Sequence, residues 1–99
     1  MRWLQNLAAR LYGEWRYLVD WNDPVVYLRG GADPIKRRVF DGLEEATEFA
    51  RRKAREVGYP VAIAKVVVPP GQDVMEAGLV CEGYRVTPDG QVMLVFEVG

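Results

Sequence analysis

The sequence predicts one α+β domain over residues 1–99, ordered α-β-β-α-β-β-β, with a mostly antiparallel sheet and a central helix on one face. Three observations predict it. Apolar residues recur at helical spacing through 42–57, between a capping signal and a stop signal. Period-two alternation runs through 14–21 and 91–98. The β-branched run VAIAKVVV at 61–68 lies between Pro60 and Pro69.

In chain order, residues 2–12 place Trp3, Leu4, Leu7, Ala8 and Leu11 on one side of a short amphipathic helix, which Gly13 ends. Arg2 and Arg10 are too few basic residues for a lipid-facing helix, so docking on the domain's own sheet is expected. EWRYLVDW at 14–21 follows as a strand. Trp15, Tyr17, Val19 and Trp21 share one face, and Arg16, Leu18 and Asp20 the other. Asn22-Asp23-Pro24 reads as a turn, VVYLR at 25–29 as a second strand paired back on the first, and Gly30 to Pro34 as a loop.

Asp41 and Glu44 have capping-box spacing for a helix over about 42–57. Leu43, Ala46, Thr47, Ala50, Ala54 and Val57 fall within one arc. Gly58 suits the left-handed position after the helix, and Pro60 blocks its continuation. Residues 61–68 are apolar on nearly both faces, as in a central strand, with Lys65 reaching out at an edge of cover. Residues 71–78 read as loop. Two strands, 79–87 and 91–98, then flank Pro88-Asp89-Gly90, a type I turn with Gly90 left-handed. In the last strand Val92, Leu94, Phe96 and Val98 are expected inward, and Gln91, Met93, Val95 and Glu97 outward.

Composition excludes several chemistries. The chain has no histidine and no serine, so Ser-His-Asp and Cys-His catalysis cannot be assembled within it. Cys81 is the sole cysteine, which rules out an intramolecular disulfide and a thiolate zinc site within one chain. No metal, cofactor or enzymatic activity is expected. The carboxylates Asp20, Asp23, Glu76 and Glu82 have no spacing that demands an acid–base pair. GGADP lacks the pattern of a phosphate-binding loop. No secretory signal and no run of roughly 20 apolar residues is visible, so a cytoplasmic setting is expected.

The stretch KRRVFDGLEEATEFARRKAR at 36–55 raises the question of nucleic acid. Within 42–57 four acids (Glu44, Glu45, Glu48, Glu56) balance four bases (Arg51, Arg52, Lys53, Arg55). Acids lead and bases follow, as the helix dipole favours, and Glu48 and Arg52 stand at the favourable i, i+4 spacing. This helix reads as a solvated face. Lys36, Arg37 and Arg38, expected on a loop before it, form the candidate anion or nucleic-acid patch with Arg29 at the end of the preceding strand.

The primary expectation is a small non-enzymatic protein-interaction domain, an accessory, regulatory or inhibitor-like subunit. Its candidate partner-binding residues are Trp15, Tyr17 and Trp21, if that stripe is exposed, with Met93 and Val95 on the last strand. That strand, apolar on both faces, also suits a homo-oligomer. The alternatives are a nucleic-acid-associated protein using the basic patch, and a structural subunit of a larger assembly.

Overall fold

The computed structural model describes residues 13–22 and 35–98. Their elements are β1 (Glu14–Asn22), β2 (Ile35–Phe40), α1 (Leu43–Val57), β3 (Val61–Val68), α2 (Val74–Ala77), β4 (Leu79–Val86) and β5 (Val92–Glu97). The five strands form one sheet in the order β2-β1-β3-β4-β5, and every neighbouring pair is antiparallel. The α+β class and the antiparallel sheet are as expected. The helix expected at 2–12 and the strand expected at 25–29 lie outside the described residues.

The second described strand is a correction. It is formed by IKRRVF at 35–40, which the charge run had marked as loop. The alternation is present beneath the charge. Lys36, Arg38 and Phe40 pair with Trp21, Val19 and Tyr17, while Ile35, Arg37 and Val39 pair with Asn22, Asp20 and Leu18. Sheet pairing and Phe40's aromatic contact outweigh the weak local preference of Lys and Arg.

β2 and β3 run in the same direction on either side of β1, and α1 makes the crossover between them. That connection lays α1 over the centre of the sheet. Ala46, Ala50 and Ala54 are fully buried beneath it with Phe49, against Val19, Val61, Ile63 and Val86. Three alanines let the helix approach the strands closely, and Phe49 is the one large side chain it contributes to this core.

The helix starts without the expected capping box. Its N-cap is Gly42, no side chain caps it, and Asp41 instead pairs with Arg16 at 3.2 Å. Its end is as expected. Gly58 adopts φ +80° and donates its N–H to the Ala54 carbonyl. Tyr59 then donates its hydroxyl to the Asn22 carbonyl at 2.6 Å, tying the helix end to the end of β1. The β4–β5 turn also forms as expected, with Gly90 at φ +91° and its N–H on the Thr87 carbonyl.

Residues 71–78 are not all loop. α2 is capped by Asp73, whose carboxylate accepts the Met75 N–H at 2.8 Å, and its end presses Gly78 against Val66. Val66 and Val68 are thereby on a covered part of the sheet and are almost fully buried.

Candidate functional site

α1 lies on one face of the sheet. The other face, on which α2 sets Gly78 against Val66 and Met75 beside Arg37, carries a row of apolar residues that crosses all five strands: Val39, Leu18, Ala64, Gly83 and Phe96 are successive cross-strand partners, of which Leu18 and Gly83 are buried. The middle of the row is small. Ala62, Ala64 and Gly83 lie along a shallow groove of about 250 Å³, flanked by Asp20, Arg85, Val95 and Phe96. A Cβ at position 83 would overlap the Phe96 ring, so glycine is what lets that ring lie across β4.

β5 is the sheet edge beyond this groove. Val92, Met93, Leu94, Val95, Phe96 and Val98 are each between 40% and 56% exposed. The expectation that Val92, Leu94, Phe96 and Val98 point inward is corrected in two ways. α1 does not cover β5, so the strand is exposed on both faces. In addition, the register shifts so that Leu94 pairs with Tyr84 and Phe96 with Gly83, leaving Val95 as an extra residue. This bulge turns Phe96 to the face away from the helix. Met93, opposite Arg85, is on that same face, and Val95 lines the groove.

The aromatic stripe has a different setting. Trp15, Tyr17 and Trp21 are half-buried on the helix-bearing face. Tyr17 and Trp21 pack against the core, and Trp21 meets Phe49 edge-on at 5.2 Å. Lys65 places its ammonium 4.2 Å from the centre of the Trp15 ring, which answers how a lysine sits in an apolar strand. Opposite Lys65 stands Glu82, fully buried, which accepts the Tyr84 hydroxyl. Burial, and then the Glu82 charge, push the Tyr17 hydroxyl above its ordinary pKa. Burial likewise raises the Cys81 thiol, with Lys65 opposing weakly, so Cys81 is a poor nucleophile here.

The basic stretch divides differently from its sequence. Arg29 lies outside the described residues. Lys36, Arg37 and Arg38 sit on a strand, so their side chains alternate and do not make a single loop patch. Arg37 faces away from the helix and forms a two-pronged pair with Asp20 at 2.5 and 3.0 Å. Arg38 turns to the helix side and joins Arg51, Arg52 and Arg55 along a groove of about 470 Å³ between β2 and α1. The spacing of Glu48 and Arg52 does not lead to an ion pair between them: Arg52 instead places its guanidinium 5.6 Å from the Phe49 ring. The helix pair that does form among the described residues is Lys53 with Glu56, at 3.1 Å.

The carboxylates do not converge. Asp20 is paired with Arg37 on one face, Glu82 is buried on the other, Glu76 is exposed on α2, and Asp23 lies outside the described residues. Among the described residues no group of His, Cys, Asp and Glu could hold a metal ion. Nor is any helix among them long and apolar enough to cross a membrane. Comparison with protein-family models, with curated proteins and with solved structures gave no match.

Sequence reasoning named Met93 and Val95, which are exposed on β5, and did not name Phe96, Val39 or the small groove floor. The A-x-A spacing at 62 and 64 was a usable signal: two small residues on one face of a strand leave room for something else. The bulge at Val95 carried no such signal, because it depends on how β5 registers with β4.

Proposed function

We propose that this chain is a non-enzymatic interaction domain that docks a protein partner along β5 and on the adjoining part of the sheet face opposite α1. The observation that supports this most is β5 itself, whose five apolar residues Val92, Met93, Leu94, Val95 and Phe96 are all exposed, with the row Ala64–Gly83–Phe96 leading onto it. On the face opposite α1, the short α2 lies against Val66 and brings Met75 beside Arg37, which leaves the part towards β5 to be covered by something else. Singly exposed apolar residues are ordinary, whereas a continuous patch rimmed by charge marks an interaction surface. Asp20, Arg37 and Arg85 supply that rim.

Among the described residues the two sheet edges differ in a way that supports the same reading. β2 carries Lys36, Arg37 and Arg38, charges that discourage a further strand from pairing. β5 carries no base, and only Glu97 interrupts its apolar run.

The test is affinity capture from a native lysate of the source organism. The bait is the wild-type chain, compared with Met93→Glu and Val95→Lys. Both substitutions fall on exposed positions and should leave the fold intact. A partner held by the wild type and lost from both variants supports the proposal. A partner held equally by all three, or none held by the wild type, counts against it. A second copy of the chain is the other candidate occupant, and light scattering separates the two: a dimer mass that both variants reduce to one chain indicates self-association.

A further inference from the structure

We propose that the groove between β2 and α1 is a second docking site, one that takes an acidic peptide segment. Arg38 from β2 and Arg51, Arg52 and Arg55 from α1 line it, with Phe40 and Phe49 at its base and Glu45 and Glu48 towards the helix N-terminus. Four guanidiniums against two carboxylates leave the groove with an excess of two positive charges, on a chain whose net charge is -1. None of the four arginines forms an ion pair among the described residues.

Two of them are held in place without a carboxylate. The Arg38 guanidinium lies 5.2 Å from the Phe49 ring centre and 5.3 Å from that of Phe40, and Arg52 lies 5.6 Å from Phe49. Arg51 donates its Nε–H to the Gly90 carbonyl at 3.1 Å, which leaves its two terminal nitrogens for another acceptor. Guanidiniums seated on rings lose less freedom when they receive a carboxylate, and each presents a fork that matches one. The arrangement is therefore partly organised for carboxylates before any arrive.

Glu45 and Glu48 decide between kinds of anion. A nucleic acid brings a phosphate at every step of its backbone and would have to carry some past these two carboxylates. A peptide can place a lysine or a neutral residue there and its acids over Arg51, Arg52 and Arg55. The charge order along the groove thus favours a peptide whose bases precede or follow its acids. The site is independent of the β5 surface, so either can fail alone.

The probe is a fluorescein-labelled peptide of two lysines followed by four glutamates, titrated by anisotropy at about 20 mM salt, where exposed charges are little screened. A labelled oligothymidylate of the same length is titrated alongside. Saturable peptide binding is expected, weakened about fivefold or more in the double variant Arg51→Gln, Arg55→Gln, in line with two exposed ion pairs. Arg85→Gln removes the same kind of charge from the opposite face and should change binding less than about twofold. Arg38→Gln with Arg52→Gln should weaken binding as well, with circular dichroism checking that the fold survives. Absence of saturable peptide binding overturns the proposal. So does equal weakening by Arg85→Gln, and so does tighter binding of the oligothymidylate through the same arginines.

Discussion

Phe49 joins the core to the charged groove, and replacing it tests both at once. Its side chain is 6% exposed. It meets Trp21 at 5.2 Å and Phe40 at 5.1 Å, and its ring seats the Arg38 and Arg52 guanidiniums. Truncation to alanine removes a buried ring that the alanines around it cannot replace, a change that costs ~3–5 kcal/mol. Phe49→Leu keeps much of the apolar volume but loses the ring. Two aromatic contacts at ~0.5–1.5 kcal/mol and three cation–ring contacts, from Arg38, Arg52 and Lys53, at ~0.5–1 kcal/mol are then at stake. These overlap, so a loss of about 1.5–3 kcal/mol is expected for leucine. A domain of this size has roughly 5–15 kcal/mol in total, so the alanine variant should be severely weakened. Urea unfolding followed by tryptophan fluorescence is the assay, since Trp21 touches the substituted ring. Alanine and leucine variants that both lose under about 1 kcal/mol would refute this account of the core.

Other consequences follow from particular contacts. Tyr84→Phe removes a donor from buried Glu82 and should cost ~1–3 kcal/mol in the same urea assay. Gly78→Ala should cost ~1–3 kcal/mol, because a Cβ there overlaps the Val74 carbonyl oxygen and the Val66 side chain. Alkaline pH should lower stability. The ordinary values are 9.0 for the thiol and 10.0 for the phenol, and the folded chain holds both groups above them. From about pH 9 upward the unfolded chain therefore releases protons that the folded chain retains, and stability falls as pH rises. Below that pH these groups contribute no slope. Replacing Cys81 by Ala should flatten the early part of the fall and Tyr17 by Phe the later part, measured as urea midpoints from pH 8 to 11. Cys81 should also react with a thiol reagent only as fast as the sheet opens, since it is 2% exposed.

What the sequence made legible was local. The helix over 43–57, its left-handed Gly58 end, the β-branched strand at 61–68 and the turn at Gly90 all rest on short-range chemistry, and each formed as its residues suggested. The missed features depend on partners far along the chain. Lys36-Arg37-Arg38 looked like a solvated loop because three charges in a row mask a period-two pattern that only pairing with β1 reveals. Phe96 was assigned to the wrong face because one extra residue, Val95, reverses the parity of the strand after it. Arg38 looked separate from Arg51, Arg52 and Arg55 because the fold brings β2 beside α1 after an interval of sequence. For the candidate site, Met93 and Val95 were readable as apolar positions on a terminal strand. The row they adjoin was not, since it draws one residue from each of five strands.

The central claim is that a partner protein covers β5 and the adjoining part of the sheet face opposite α1. Amide hydrogen exchange, compared between the free chain and its complex with the captured partner, tests it most directly. The account predicts slowed exchange across residues 92–98, with Met93→Glu and Val95→Lys abolishing both complex and protection. Unchanged exchange across 92–98 in an otherwise intact complex would contradict it.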